Sequence, residues 1–382
     1  MINKDTIKNF NIIAINLDGL RRDKVFLCNS LKSLISKSFF FSQMDTVSPY
    51  TFASIHAIMT GTYPSTNGVN AYYNILKFKI NEITTIAQVL KKNGYHTVCD
   101  INDEAILNKQ GFDEYNIYDE RIIDFTERHC DVIRKLSGKK FFLFLQNTEM
   151  HNNLVREIAN DEKITDQDYF NSIKKNNERY ESHLKNTDSY IKSILETLGK
   201  LGMMTKTILI VFSDHGTSIG EKFGEKFYGV FLYEYTLNAF CLIHIPKHTS
   251  GIIDKQCRTI DIFPTIVELS NLGKEYNHKK QGKSLIPLIE NTDSEDREVF
   301  AETGGLYGPW PSPEKHNVFC IKNNKKKLIY NDTPNTWEFY DLKNDPKELD
   351  NIYDQNSKDV KILKERLLYY LKENNIITKI SK

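Results

Sequence analysis

Thr207-Ile208-Leu209-Ile210-Val211-Phe212-Ser213-Asp214-His215-Gly216 runs from an apolar, β-type segment into a carboxylate, an imidazole and a glycine. Neighbouring side chains on a continuing strand point to opposite faces of a sheet. Asp214 and His215 therefore reach one ion only if the strand ends before them, and Gly216 permits such a break. One interpretation is a metal site at the end of the strand; the other is a turn with a solvated Asp and a packed His.

A second apolar segment, residues 11–17, also ends in a carboxylate followed by glycine, Asp18-Gly19. In an open parallel α/β sheet, ligands collect at the carboxyl ends of the strands. Two strands that each present Asp at this end favour a shared site over two separate helix caps. We therefore expect Asp18 and Asp214 to lie at the same edge of one sheet.

A third segment, Ser48 to Pro64, contains a helical stretch that follows a proline-broken loop and stops at Gly61. Thr51 falls at the predicted N-cap of this helix. A hydroxyl in that position lies near unpaired backbone N–H groups and the positive end of the helix dipole, which stabilise an alkoxide and attract anions. The alternative is an ordinary capping threonine.

Taken in chain order, these motifs resemble the alkaline phosphatase superfamily in its sulfatase-like branch. The resemblance covers nearly the whole chain, and its further segments are Gly94-Tyr95-His96-Thr97, Gly111-Phe112-Asp113, Asp261-Ile262-Phe263-Pro264-Thr265, Gly282-Lys283-Ser284-Leu285 and Phe339-Tyr340-Asp341-Leu342. It implies an α/β fold, an alkaline-phosphatase-like and mostly parallel sheet flanked by helices, with a smaller C-terminal α+β subdomain. We expect the catalytic domain at residues 1–290 and the subdomain at 291–382.

The sequence departs from the sulfatase pattern at the nucleophile. Thr51 stands at the position of the Cys or Ser that sulfatases mature to formylglycine, and Ala53 and Ile55 replace the Pro and Arg of that motif. Threonine cannot be converted to formylglycine. Thr51-Phe52 instead resembles the nucleophile segment of nucleotide pyrophosphatase/phosphodiesterases, and a Thr nucleophile also serves in phosphoethanolamine or phosphoglycerol transferases. The resemblance thus implies phosphoryl rather than sulfuryl transfer.

The same resemblance implies one divalent metal ion, bound by Asp18, Thr51, Asp214 and His215. Zinc or manganese is expected, with calcium or magnesium as alternatives. A second ion stays open, because Asn147 stands where two-metal phosphodiesterases have an Asp, and an amide is a poorer zinc ligand than a carboxylate.

The implied mechanism is attack of the Thr51 hydroxyl on phosphorus, giving a phosphothreonine intermediate. His151 is interpreted as a catalytic residue on the substrate side, acting as general acid, or else as a histidine that caps a strand end. Ser54, one helical turn after Thr51, and Asn147 are predicted to bind substrate. For Ser54 the alternative is a small exposed helix residue.

The function predicted from these parts is a phosphodiesterase, a phosphatase or a phospho-group transferase. Its expected substrate is a small-molecule or glycan-linked phosphate ester. Two alternatives stay open. One is a sulfatase acting on sulfate esters, and the other is a non-catalytic pseudoenzyme that binds an anionic ligand.

Composition agrees with a compact enzyme. The chain has 382 residues, 40% of them hydrophobic, and a formal net charge of +1, so no nucleic acid polymer is indicated as a partner. One basic cluster, Lys322, Lys325, Lys326 and Lys327, is interpreted as a solvated hairpin turn or an anion-binding patch. The polar region 152–177 shows no clear periodicity and is interpreted as a substrate lid or a surface insertion.

Location is predicted from what the sequence does not contain. No stretch approaches the roughly 18 to 20 apolar residues of a membrane helix, and the first residues lack the apolar core of a signal peptide. A cytoplasmic enzyme without a transmembrane segment is therefore expected. The six cysteines show no CxxC spacing and are expected to be reduced thiols.

Overall fold

The computed structural model describes residues 2, 4–159, 166–272, 280–305 and 316–380, and all structural statements concern these residues. A nine-stranded sheet forms the centre of the main domain. Its strands are β1 Asn11–Leu17, β2 Phe39–Asp45, β3 His96–Ile101, β4 Glu114–Ile117, β5 Phe141–Asn147, β6 Thr207–Phe212, β7 Asn238–His244, β8 Gly251–Ile253 and β9 Cys257–Arg258.

The order across this sheet is β4-β3-β5-β1-β6-β7-β2-β8, with β9 also paired to β2. The block from β4 to β6 is parallel, and β7 is antiparallel to both of its neighbours. Every residue of β1, β5 and β6 is buried, as expected for central parallel strands covered on both faces. The prediction of a mostly parallel sheet flanked by helices is confirmed.

Helices cover both faces. The α-helices are Lys4–Ile7, Asn29–Ile35, Thr51–Thr60, Pro64–Asn67, Ile86–Lys92, Phe125–Lys135, Glu149–Ala159, Asp166–Phe170, Ile173–Lys200, Glu234–Leu237, Ile262–Leu269, Ile286–Ile289 and Lys358–Glu373. Short 3₁₀ helices span Arg22–Leu27, Tyr72–Asn74, Met203–Thr205 and Thr259–Asp261. Alternate residues of β1 enter two separate cores, Ile12 and Ala14 on one face and Ile13 and Ile15 on the other.

A second, four-stranded antiparallel sheet follows, in the order β10-β11-β12-β13. These strands are β10 Val299–Gly304, β11 Asn317–Lys322, β12 Lys326–Asn331 and β13 Thr336–Asp341. The helix Lys358–Glu373 packs on this sheet through Leu363, Leu367 and Leu371. This is the predicted C-terminal α+β subdomain, while the predicted division after residue 290 stays a prediction.

The basic cluster differs from the predicted solvated turn. The hairpin between β11 and β12 is present, but the side chains of Lys322 and Lys327 are only 4% and 0% exposed. Lys322 pairs with Asp45 at 2.7 Å and with Glu234 at 2.6 Å. Lys322 on β11 and Lys327 on β12 are both buried and neutralise buried carboxylates. The interpretation of the whole cluster as solvated was therefore wrong.

The region after His151 is also more regular than predicted. Its helix begins at Glu149, and Met150, Leu154 and Ile158 form a buried stripe at helical spacing. Further helices occupy 166–170 and 173–200, and residues 160–165 lie outside the described part. Because most residues of this region are polar, the sequence pattern did not indicate the narrow apolar stripe.

All six cysteines are free and buried, as expected for reduced thiols. Within the described residues, every helix is too short or too polar to cross a bilayer.

Candidate active site

The pairing of β1 with β6 brings the two predicted carboxylates together. The strands are parallel and in register, with Asn16 opposite Phe212, so both chains leave the sheet at the same edge. The Gly19 N–H donates to Asp214 Oδ1 at 3.2 Å, and the Asp214 N–H donates to Asn16 Oδ1 at 3.0 Å. These bonds fix the Asp214 carboxylate beside the turn that carries Asp18.

Thr51 faces this pair from the start of its helix. The N-cap is Tyr50, with φ −152°, and Thr51 is the first helical residue, so the predicted N-cap position was wrong by one residue. The Thr51 Oγ1 lies 3.2 Å from Asp18 Oδ2 and 3.2 Å from His215 Nε2. The helix ends at Gly61, as predicted, with a left-handed φ of 65°.

The contact of Nδ1 shows that this ring nitrogen of His215 carries a proton. Nδ1 lies 2.6 Å from the Gly216 carbonyl oxygen, which can only accept a hydrogen bond. Nδ1 therefore carries a proton, and in the neutral form of the ring Nε2 presents a lone pair to Thr51 and to Asp18 Oδ1, 3.6 Å away. A histidine held in this tautomer suits metal ligation or proton acceptance.

His151 lies directly beside the Asp18 carboxylate. Its Nδ1 is 3.2 Å from Asp18 Oδ1. Burial, with a smaller contribution from neighbouring His215, lowers the pKa of His151 to about 3. The side chain is thus neutral near pH 7, and its predicted catalytic role stays a prediction.

The two predicted substrate-binding residues have structural contacts here. Ser54 is fully buried, and its hydroxyl donates to the Asp214 carbonyl oxygen at 2.8 Å. Asn147 is 2% exposed, and its Oδ1 accepts from the Glu149 N–H at 3.0 Å at the start of the next helix. Because Ser54 is buried, its interpretation as an exposed helix residue was wrong. Neither side chain lines the cleft beside Thr51, and substrate binding by either residue stays a prediction.

The buried groups around Asp18 fit a divalent cation. Asp18 Oδ1, Asp214 Oδ2 and His151 Nδ1 are buried and have no hydrogen-bond partner. Ligand atoms of Asp18, His151 and His215 all lie within 4.8 Å of one another. Burial and the nearby Asp214 carboxylate raise the pKa of Asp18 well above its usual value, because two carboxylates without a counter-charge repel each other. Carboxylate oxygens and neutral imidazoles are donors that zinc and manganese accept.

Two neighbours of this centre were not predicted from the sequence. Gln146 Nε2 donates to Asp18 Oδ2 at 2.9 Å from the end of β5, and the pairing of Asn16 with Gln146 places it there. The Tyr228 ring packs against His151 and His215, with centroid distances of 4.6 and 4.9 Å. The position of Gln146 follows from the register of β5 with β1, whereas no feature of the sequence indicates that Tyr228 lies here.

A cleft of about 210 Å³ opens beside the Thr51 hydroxyl. Its walls are formed by Asp18, Thr51, Phe52, Tyr72, Asn102, Asp103, Ile106, Thr148, His151, Asn152 and Tyr228. A nucleophile candidate, a cation-binding cluster and an open cleft therefore meet at the carboxyl end of the sheet.

The sequence profile of the sulfatase family matches residues 15–272. The chain belongs to the sulfatase family. The profile of the C-terminal region of N-sulphoglucosamine sulphohydrolase matches residues 224–374. Every candidate site residue lies within the first match. The predicted placement among relatives with a Thr nucleophile stays a prediction.

Curated relatives of this sulfatase-family chain are named as sulfatases. N-acetylglucosamine-6-O-sulfatase of Bacteroides thetaiotaomicron is 32% identical over 178 residues, 44% of this chain and 30% of that protein. Human arylsulfatase K is 29% identical over 175 residues, 44% of this chain and 31% of that protein. The alignments thus span less than a third of the length of these two relatives.

Solved structures agree on the fold of this sulfatase-family chain. A protein solved with its substrate D-glucosamine-2-N,6-O-disulfate superposes with a TM-score of 0.76 at 17% identity, covering 96% of this chain and 98% of the other. The phosphonate monoester hydrolase of Agrobacterium radiobacter gives 0.74 at 14% identity, covering 96% and 95%. At these identities the similarity establishes the alkaline-phosphatase-like fold and leaves the substrate open.

Proposed function

We propose that the chain is a metal-dependent hydrolase that cleaves an ester of sulfate or of a related tetrahedral oxyanion, with Thr51 as the nucleophile. One observation carries the proposal: Thr51 Oγ1 lies 3.2 Å from both Asp18 Oδ2 and His215 Nε2, at a helix N-terminus open to the cleft. Two acceptors at hydrogen-bond distance from one hydroxyl suit the activation of that hydroxyl.

The chemistry proceeds in two steps. The Thr51 oxygen attacks the central atom of the oxyanion and its proton passes to Asp18 or His215, while the bond to the ester oxygen breaks and the released alkoxide takes a proton from water to become the alcohol. Water then hydrolyses the Thr51 ester. A divalent cation bound in this cluster would lower the pKa of the hydroxyl and neutralise charge on the ester oxygens. The first N–H groups of the helix 51–60 add positive potential at the same place.

A sulfate ester is the first candidate substrate. Family membership and the names of the curated relatives support this alternative better than the phosphate ester expected from the sequence. The Thr51 route to sulfate differs from that of formylglycine enzymes, because a sulfated threonine has no second hydroxyl on the same carbon whose conversion to an aldehyde could expel the sulfate. Water must instead hydrolyse the bond between the Thr51 oxygen and sulfur.

A phosphate or phosphonate ester is the second candidate, and the identity of residue 51 favours it. Threonine cannot mature to formylglycine, while an alcohol nucleophile is sufficient for phosphoryl transfer. The phosphonate monoester hydrolase that shares this fold acts on such an ester.

A panel of esters with one leaving group separates the two candidates. The sulfate, phosphate and phenylphosphonate of 4-nitrophenol are compared as kcat/KM on protein reconstituted with zinc or manganese. A faster sulfate supports the first candidate, and a faster phosphate or phosphonate supports the second. Thr51→Ala should abolish turnover of the preferred ester with the metal still bound, and Thr51→Ser should retain part of it.

The matched control is Thr205→Ala, which removes an exposed hydroxyl next to the amino end of β6, the end of that strand opposite the site, and should keep full activity. Full activity of Thr51→Ala would refute the nucleophile. Stoichiometric metal and ligand binding without turnover of any ester would support the non-catalytic alternative instead.

A further inference from the structure

The cleft beside Thr51 is lined by carboxylates and by no Lys or Arg of the described residues, although the proposed substrate is an anionic ester. Among the described residues that line it, the only charged side chains are the carboxylates Asp18 and Asp103. Asp18 belongs to the cation cluster and its charge would be offset there. Asp103 lines the same cleft and is exposed, so its carboxylate is available to the part of a substrate that lies outside the cation cluster.

A second carboxylate lies behind the lining of the same cleft. Glu120 accepts hydrogen bonds from Asn102 Nδ2 at 3.1 Å and Asn152 Nδ2 at 2.7 Å, and both amides line the cleft. The Arg156 guanidinium pairs with Glu120 at 2.5 Å, so the two charges offset each other, and neither residue lines the cleft. Outside the cation cluster, the described lining of the cleft is therefore neutral except for the carboxylate of Asp103.

Aromatic rings form the remaining sides. The Tyr72 ring stacks on Tyr50 at a centroid distance of 4.4 Å and meets Phe52 edge-on at 6.5 Å. Tyr228 packs on His151 at 4.6 Å. These ring contacts hold Tyr72 and Tyr228 in place in the cleft lining, and the face of an aromatic ring attracts cations and repels anions.

We propose that this part of the cleft is a leaving-group subsite that selects alcohols by charge, with an ammonium-bearing alcohol preferred over a neutral one and a neutral one over an anionic one. This inference rests on the proposed function, because it concerns the alcohol released when Thr51 attacks. It predicts that a multiply sulfated saccharide is a poor substrate.

The test uses three esters of the oxyanion that the nitrophenyl panel identifies. Their alcohols are matched in size: 2-(trimethylammonio)ethanol, 3,3-dimethylbutanol and 4-hydroxybutanoate. We expect kcat/KM to fall in that order by about twofold to fivefold per step, the range of one solvent-screened charge interaction. The preference should shrink at high salt.

Asp103→Asn isolates the charge. Asp103 Oδ1 accepts from the Ala105 N–H at 2.8 Å, and asparagine keeps that acceptor, so the local turn is preserved. The variant should lose most of the step between ammonium and neutral esters, with the nitrophenyl ester measured as the reference rate of each protein. Glu104→Gln, at the exposed neighbour outside the cleft lining, is the matched control and should change neither.

The outcomes separate the two claims. Turnover of the nitrophenyl ester combined with equal or reversed ranking of the three alcohols would overturn the subsite and leave the proposed function standing. An Asp103→Asn variant with the same ranking as Glu104→Gln would also overturn it. Absence of turnover for every ester would overturn the proposed function and the subsite with it.

Discussion

Glu302 should make the stability of this protein depend on pH near neutrality. Its side chain is 1% exposed and joins β10 to the segment after the Thr51 helix. Oε1 accepts from the Ser65 N–H at 2.7 Å and from the Tyr370 hydroxyl at 3.2 Å, and Oε2 accepts from the Ser65 hydroxyl. Burial outweighs these bonds and raises the pKa of Glu302 from 4.5 to about 7.

The size of the effect follows from that difference. Below pH 4.5 the carboxyl is protonated in both folded and unfolded chains and has no pH-dependent effect. As the pH rises from 4.5 to 7, the unfolded chain releases its proton first and gains stability relative to the folded one. Each pKa unit corresponds to about 1.4 kcal/mol, so folding loses about 3 kcal/mol across this range.

Glu302→Gln should remove this loss. Its Oε1 keeps the bonds from Ser65 N–H and Tyr370, and its Nε2 can donate to the Ser65 hydroxyl. Urea unfolding followed by circular dichroism at about pH 5 and about pH 8 should show the variant gaining about 2 to 3 kcal/mol relative to the parent between the two conditions. Glu295→Gln, at an exposed carboxylate, is the control. An unchanged pH slope in Glu302→Gln would refute the reasoning.

The remaining predictions concern the site turn and a buried ion pair. Gly19→Ala should lower metal content and destabilise the fold, because a Cβ at this φ of +65° would lie 2.7 Å from His151 Nδ1. Gly94→Ala, at φ +79° with open space around it, should show the backbone cost alone, about 1 to 2 kcal/mol in urea unfolding, and equal effects would contradict the steric argument. Asp261→Ala should cost about 3 to 5 kcal/mol, because it removes the carboxylate that pairs with two buried guanidinium groups, Arg258 at 2.9 Å and Arg297 at 2.8 Å. A loss below about 1 kcal/mol would show that these ion pairs are dispensable.

The sequence predicted the edge of the sheet where the site lies, for a physical reason. Apolar runs that end in Asp18 and Asp214 predict two strand ends, and parallel pairing must bring such ends together. Gly216 had a different role from the one predicted. Its φ is not positive, and a Cβ there would collide with the Tyr235 carbonyl oxygen, so close approach of another segment requires this glycine, which a local pattern cannot reveal.

The position of His151 depended on tertiary packing. The sequence indicated a histidine after β5, but its approach to Asp18 requires both the pairing of β5 with β1 and a helix that starts at Glu149. That helix packs on the helix 173–200, and its Leu154 and Ile158 belong to a core built from residues distant in the chain. The burial of Lys322 and Lys327 was likewise fixed by carboxylates from other elements.

The central claim is that the Thr51 oxygen forms a covalent bond to the oxyanion during turnover. Metal-reconstituted protein is mixed with the preferred ester, quenched in acid within one turnover, digested and analysed by mass spectrometry. We predict a sulfuryl or phosphoryl adduct on the peptide containing Thr51, present in the parent and in Thr51→Ser and missing in Thr51→Ala. Rapid turnover without any adduct on that peptide, or an adduct on another residue that persists in Thr51→Ala, would contradict the account.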